Sequence, residues 1–325
     1  MVRRLWQTAM IGLARSPRVT SFMQRTRSTS TLARRFVAGK TPSEAIDRAL
    51  HLLQKDGIRS SLFYMGEYVD RPDLVRENVE AITEAVRALG RSGLDIHVSI
   101  DPTQIGHQIK PELAQENARR IAAVLQDQIG DRTGVHCLML DMEDTSVTAP
   151  TIALHNALQD DGYPVALTLQ AYLRRTMADL TAQIARGSRV RLVKGAFAAG
   201  PDVAFTSRAE IKRNSRALID LMFSSAARDS GFYPIIATHD TRLHDYAIER
   251  ARRSGWAAGE YEFEMLLGVR GDVAQALARR GERVRLYVPF GRDWWPYAVR
   301  RIGENPANAV LLARSLLGTR RLPPA

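Results

Sequence analysis

Cysteine is almost missing from this chain: its 325 residues hold one, Cys137, inside the apolar run Val135–Leu140. A single thiol excludes a disulfide framework and fits a structural role in a reduced, cytosolic setting. No apolar stretch reaches the roughly 18 residues that a membrane-crossing helix needs. His97, His107, His136 and His239 show neither HExxH nor another zinc spacing, so no metal site is expected. A G-x-S-x-G elbow, a P-loop, and a G-x-G-x-x-G opening a helix after a strand are all missing. A nicotinamide-type Rossmann site is therefore not expected.

Acidic residues are absent from residues 1–40, which hold nine basic ones: Arg3, Arg4, Arg15, Arg18, Arg25, Arg27, Arg34, Arg35 and Lys40. The net charge is +11; removing those nine leaves +2 on the other 285 residues. The body of the chain is thus nearly neutral, and nucleic acid is not an expected partner. Leu5, Trp6, Met10, Ile11 and Leu13 interleave with the arginines. Such an arm suits peripheral contact with an anionic membrane surface, a transit peptide, or a helical arm packed on its own domain.

What the chain has in quantity is a repeated unit. A short apolar run, a polar break and an amphipathic stretch recur eight times from residue 55 onward. The runs are Ser60–Met65, Ile96–Ile100, Val135–Met142, Val165–Gln170, Val190–Val193, Tyr233–Thr238, Tyr261–Leu266 and Val284–Val288. Helical periodicity occupies Leu74–Leu89, Pro111–Leu125, Ala171–Ile184, Arg208–Ala226 and Leu243–Arg252. Eight βα units in one uninterrupted series predict a TIM-type (β/α)₈ barrel, class α/β. The expected organisation is a basic N-terminal arm over residues 1–45 and a catalytic barrel over 46–325.

Chemistry in such a barrel belongs at the C-terminal ends of the strands. There the chain places Glu67, Asp101, Asp141 with Glu143 and Asp144, Gln170, Lys194, Thr238-His239-Asp240, Glu264 and Tyr287. A lone Asp after a strand is more often a helix cap; a whole ring of polar groups is not explained that way. Beyond the last strand, Tyr297, Arg300, Arg301 and Glu304 fall at i, i+3, i+4 and i+7 of a helix expected to open at Asp293. Adjacent guanidinium forks match a carboxylate. A solvated basic face remains the alternative.

Together these residues resemble the proline dehydrogenase family, in its bacterial monofunctional form, over roughly residues 40–317. The motifs that carry the resemblance are Gly66-Glu67, Leu140-Asp-Met-Glu-Asp144, Leu169-Gln-Ala-Tyr172, Arg191-Leu-Val-Lys-Gly-Ala196, Ala237-Thr-His-Asp240, Tyr261-Glu-Phe-Glu-Met-Leu-Leu-Gly268 and Tyr287…Tyr297-x-x-Arg-Arg-x-x-Glu304. The resemblance implies FAD over the barrel mouth and hydride transfer from L-proline to flavin N5, with quinone or another acceptor taking the electrons. It implies that Gln170 and Arg191 bond the isoalloxazine ring, Arg191 near N5, and that Met142 touches the ring. Lys194, Gly195 and Ala196 would lie along the cofactor, Thr238 and His239 at its pyrophosphate, and Glu304 behind cofactor or arginine helix. Arg300 and Arg301 would hold the substrate carboxylate, with Tyr287, Tyr297 and Leu266 shaping the pocket. Asp141 matches a carboxylate needed near the substrate, and Glu67 an acid that closes over the site onto Arg300. A bacterial cytoplasmic location, peripheral at the inner membrane, follows from the same likeness.

One departure bears on the substrate. The family's second strand ends in a lysine that helps hold the carboxylate, whereas this chain reads Val98-Ser-Ile-Asp101-Pro102. Two like charges ~4 Å apart at an effective dielectric near 20 repel by roughly 4 kcal/mol, on the order of a thousandfold in affinity. Phe63 stands where an aspartate is common, and Phe197 where Tyr is common. Three readings follow: a proline dehydrogenase with Asp101 turned aside or paired to Arg300 or Arg301; a paralogue oxidising a different amine; and a non-catalytic flavin-barrel protein.

Overall fold

Local signals set the helix boundaries. In the computed structural model, which describes residues 35–66, 69–291 and 297, helix α1 (Pro42–Asp56) opens on a capping box. Glu44 N donates to Thr41 Oγ1 at 3.3 Å, and the Glu44 carboxylate accepts from Thr41 N at 3.1 Å. Gly57, at φ 67°, ends the helix in the left-handed conformation that glycine adopts without a Cβ penalty. Helix α2 (Pro72–Ser92) starts on a proline whose missing N–H costs nothing there. Its buried Val75, Val79, Ile82, Val86 and Leu89 recur at helical spacing and face the sheet.

The strands are β1 (Arg59–Tyr64), β2 (His97–Ile100), β3 (Cys137–Leu140), β4 (Val165–Gln170), β5 (Arg189–Val193), β6 (Tyr233–Ala237), β7 (Glu262–Leu266) and β8 (Val284–Phe290). They pair in parallel in chain order, and β8 returns to β1 from Arg59↔Arg285 to Tyr64↔Phe290, closing the barrel. Between them run α3 (Pro111–Ile129), α4 (Thr148–Asp160), α5 (Thr176–Ala185), α6 (Arg208–Met222), α7 (Ser225–Asp229), α8 (Thr241–Arg253) and α9 (Gly271–Arg279). The (β/α)₈ expectation holds.

Three expected boundaries move. The helix expected from Ala171 begins at Thr176, because Ala171 N and Tyr172 N still bond to Val193 O and Lys194 O of the next strand end. The stretch Arg208–Ala226 divides into α6 and α7, since Ser224 Oγ accepts from Ala227 N at 3.2 Å and starts a new helix. The run Val135–Met142 yields a strand of four residues, Cys137–Leu140.

Alternation along each strand sorts the core. Leu62, Val98, Leu138, Leu140, Leu167, Val190, Leu192, Phe263, Met265 and Leu286 belong to the cluster that packs outward on the helices. The intervening positions point inward, and many are polar: Ser61, His97, Ser99, Thr168, Arg191, Glu262, Glu264 and Arg285 are all buried. The expected boundary after residue 45 falls inside α1, and the described residues just before that helix, Phe36 to Gly39, are tied to the barrel. Phe36 is fully buried, Ala38 N donates to Pro289 O at 2.9 Å, and Gly291 N donates to Gly39 O at 2.9 Å. No helix among the described residues is long and apolar enough to cross a membrane.

Candidate active site

The C-terminal mouth of the barrel converges on Arg191, which β5 points inward. Its Nε donates to Thr168 Oγ1 at 3.0 Å, its Nη1 to Glu264 Oε1 at 3.0 Å, and its Nη2 to Asp141 Oδ1. Burial opposes the charge, but Asp141 and then Glu264 outweigh it, so the guanidinium pKa lies above its ordinary value. The other Asp141 oxygen accepts from Tyr287 Oη at 2.7 Å. Burial, then the charges of Asp141 and Asp101, push the Tyr287 phenol well above its usual range. The Arg191 guanidinium lies 5.4 Å from the Tyr287 ring centroid, and the Phe63 ring packs on Tyr287 at 5.3 Å. Phe63 thus holds the phenol that caps Asp141, a use its aromatic character alone does not announce.

A second network orders the neighbouring loops. Glu143 is 2% exposed and takes Thr103 N at 3.0 Å and Thr103 Oγ1 at 2.5 Å. Gln170 Nε2 donates to Glu143 O at 2.7 Å, and Thr176 Oγ1 donates to Gln170 O at 2.6 Å. These bonds tie the ends of β3 and β4 to the 3₁₀ turn Pro102–Ile105. Asp101 is the N-cap of that turn, in a capping-box arrangement with Gln104, and is 5% exposed. It is not turned out to solvent, and its charge adds to that of Asp141 in raising the Tyr287 phenol.

The remaining expected residues divide by exposure. Met142 is buried and packs in the outer core. Leu266 is half-buried beside Tyr287, its register partner. Lys194 and Ala196 are exposed, and Thr238 and His239 half-buried, at the ends of adjacent β5 and β6. Gly195, at φ 97°, sits where an added Cβ would run into the Tyr172 ring, so packing as well as backbone conformation requires glycine there. Tyr297 is buried at 9% exposure. Glu67, Arg300, Arg301 and Glu304 lie outside the described residues. Two members of the expected ring are structural: Asp144 accepts from Ser146 N at 2.8 Å, and Asp240 caps α8 by accepting from Arg242 N at 2.9 Å while pairing with Lys212.

Sequence reasoning left Glu264 without a role and did not single out Thr168. Both were legible only as inward positions of β7 and β4 once those strands were aligned with Arg191. At the opposite, N-terminal face, a cavity of about 400 Å³ is lined by Arg59, Ser60, Asp95, Gly134 and Arg283 among others. Among the described residues no group of three His, Cys, Asp or Glu side chains is arranged to hold a metal ion.

Comparison with known proteins adds relatives to this geometry. A family model described as proline dehydrogenase matches residues 46–314. Proline dehydrogenase of Deinococcus radiodurans is 32% identical over 322 residues, covering 98% of this chain and 99% of that protein. Proline dehydrogenase 1 of Bacillus subtilis is 31% identical over 285 residues, covering 88% and 90%. Among solved structures, proline utilization A from Bdellovibrio bacteriovorus superposes with a TM-score of 0.77 at 20% identity over 90% of this chain. The protein from Corynebacterium freiburgense gives 0.73 at 20% identity over 98%. The chain spans about a third of those structures (34% and 35%), and at such identity they bear on the fold alone.

Proposed function

The chain belongs to the proline dehydrogenase family, and from that premise we propose that it is an FAD-dependent enzyme oxidising L-proline to 1-pyrroline-5-carboxylate. The observation that carries this reading is Arg191, a buried, inward-facing cation in the middle of β5 fixed from three sides by Thr168, Glu264 and Asp141.

The donors present fit a flavin dinucleotide. Arg191 and Gln170 are deep, polar and held by neighbours, as recognition of an electron-accepting ring requires. Lys194, Thr238 and His239 offer donors at the rim, on adjacent strand ends, as a diphosphate requires. When bound, FAD supplies the two-electron acceptor for the hydride leaving the proline ring carbon. Arg191 presents positive charge where negative charge develops, and its three contacts spare it reorganisation at that moment. Asp141, fixed between Arg191 and Tyr287, sets the polarity of the floor beneath the substrate. Arg300 and Arg301, paired by spacing, anchor the substrate carboxylate, so that one C–H is held in a single orientation. Tyr287, Tyr297 and Leu266 border the ring of the amino acid, with Glu67 closing onto Arg300 and Glu304 behind the cofactor or the arginine helix. Electrons pass on to quinone or another acceptor. The basic segment over residues 1–40 gives peripheral contact with the bacterial inner membrane.

An anaerobic titration of the purified, flavin-loaded protein with L-proline tests the reading. Loss of the oxidised flavin absorbance on adding proline is the expected result; a spectrum that stays oxidised at saturating proline sinks it.

Asp101 supports a second reading, oxidation of a different amine. A buried carboxylate at the C-terminal end of β2 suits a substrate with a cationic or hydrogen-bond-donating substituent that proline lacks. Asp101→Lys separates the two. It lowers the KM for proline by an order of magnitude or more if proline is the substrate, and abolishes turnover of the alternative amine if it is not.

A further inference from the structure

Strand β7 carries two acids on its inward face, Glu262 and Glu264, and the barrel treats them differently. Glu262 is fully buried and fully committed: Oε1 accepts from Arg285 Nε at 2.8 Å and Oε2 from Arg285 Nη2 at 3.1 Å. Glu264 is 2% exposed, and Oε1 accepts from Arg191 Nη1 at 3.0 Å. Its Oε2 is buried without a hydrogen-bond partner among the described residues.

Charge around Glu264 is unbalanced. From β5 comes Arg191, whose charge Asp141 of β3 already meets in a direct ion pair. From β8 come Arg285, taken by Glu262 and Asp95, and Tyr287, whose hydroxyl is spent on Asp141. Asp101, at the end of β2, adds a further buried carboxylate. His97 of β2 brings no cation, because burial and then the arginine charges hold its pKa well below the ordinary value. Cys137 of β3 brings no thiolate, since burial pushes its pKa up to about 12. Tyr233 of β6 leans on Glu262, and Arg189 of β5 donates to His136 O. Arg59 of β1 adds a half-exposed cation 3.2 Å from Asp95, so three arginines, Arg59, Arg191 and Arg285, meet four acids, Asp95, Asp141, Glu262 and Glu264. An anionic oxygen buried without a partner costs more than an unpartnered neutral hydroxyl, because the full charge loses its hydration.

We propose that Glu264 is a positioning residue that holds Arg191 through Oε1 while keeping a proton on Oε2 at neutral pH, so that the Arg191–Asp141–Glu264 group is uncharged overall. Burial is the main force raising the Glu264 pKa, and Arg191 only partly offsets it. With Glu264 neutral, the guanidinium keeps its hydrogen bond to β7 without surrendering its charge to two carboxylates at once. The consequence for electron uptake rests on the proposed FAD site; the protonation state itself does not.

Infrared spectra of the full-length protein, wild type against Glu264→Gln, test the protonation directly. At neutral pH the wild type shows a carboxylic-acid C=O stretch that the variant lacks, and the band fades as pH rises. Identical carboxylic-acid bands in the two proteins overturn the proposal. Should E264Q fail to fold, isotope-labelled glutamate in the wild type separates this band from those of aspartic acids; no labelled band at neutral pH overturns it equally. In the flavin-loaded enzyme, the midpoint potentials of wild type and E264Q diverge as pH rises, the wild type becoming the lower. A constant gap at all pH values rejects the titration. A protein that shows the band but is not reduced by proline keeps this inference and loses the proposed function; reduction by proline without the band does the reverse.

Discussion

Arg191 and Arg285 are the same side chain put to different uses by their depth in the barrel. Arg285 is fully buried at the N-terminal end and bonds Glu262 twice, Asp95 at 2.9 Å and Ser60 O at 2.9 Å. Every partner is spent within the scaffold, so its role is structural. Arg285→Met leaves Glu262 buried and unpaired. The expected cost is about 3–5 kcal/mol in urea unfolding, with much of it recovered in the double variant Arg285→Met/Glu262→Gln. An unchanged midpoint for the single variant would show that Glu262 finds another partner. Arg191, in the middle of β5, was singled out by the family resemblance and not by the strand-end rule, which picked Lys194 there; its partners were not foreseen by either. Asp144 and Asp240 illustrate the converse, since each looked functional by position and each serves to order its own turn or helix. Position after a strand does not distinguish an acid that caps from one that faces the axis.

Local signals govern where many elements begin and end, even where the expected boundary moves. Thr41 with Glu44 and Ser207 with Glu210 open helices as capping boxes do, and Ser224 splits one expected helix into two. Joins between elements depend instead on close approach. Gly268, at φ 78°, ends the turn after β7, where an added Cβ would come within 2.9 Å of the Phe36 ring and against the Arg35 backbone. Gly57, at φ 67°, has open space around it. Gly57→Ala is expected to cost about 1 kcal/mol from backbone conformation alone. Gly268→Ala should cost more, because it also displaces the segment from Arg35 to Gly39. Faster hydrogen exchange at the Ala38 and Gly291 amides in Gly268→Ala, but not in Gly57→Ala, is the distinguishing result; equal exchange in both would show that this segment is not held there.

For the molecule as a whole, four buried histidines couple stability to acid. Burial lowers the pKa of His97, His136, His155 and His244, bringing His155 from 6.5 to about 4. A lowered folded-state pKa means that the unfolded chain binds the proton more readily. The stabilisation is complete above pH 6.5 and falls away as pH drops toward 4. His155 alone contributes roughly 3 kcal/mol across that window. Glu264 acts with the opposite sign: its raised pKa gives stability that is full below the ordinary glutamate range and declines as pH rises through the folded value. Unfolding free energy measured against pH should therefore fall on the acid side from about pH 6.5, and His155→Gln should flatten that slope. An unaltered slope in the variant would mean that His155 is not among the groups that protonate.

The sequence by itself determined the barrel and the ends of the strands where chemistry would sit. Strand alternation, helix periodicity and caps are enforced by sterics and hydrogen bonds within a few residues, so they survive in a linear reading. Pairing and protonation were decided by tertiary structure alone. Arg191 meets Asp141 across 50 residues of chain and Glu264 across 73, and Arg285 meets Asp95 across 190. Those encounters exist only because a particular register closes β8 onto β1. Only after closure is water excluded, and only then does a carboxyl such as Glu264 face a choice between a partner and a proton.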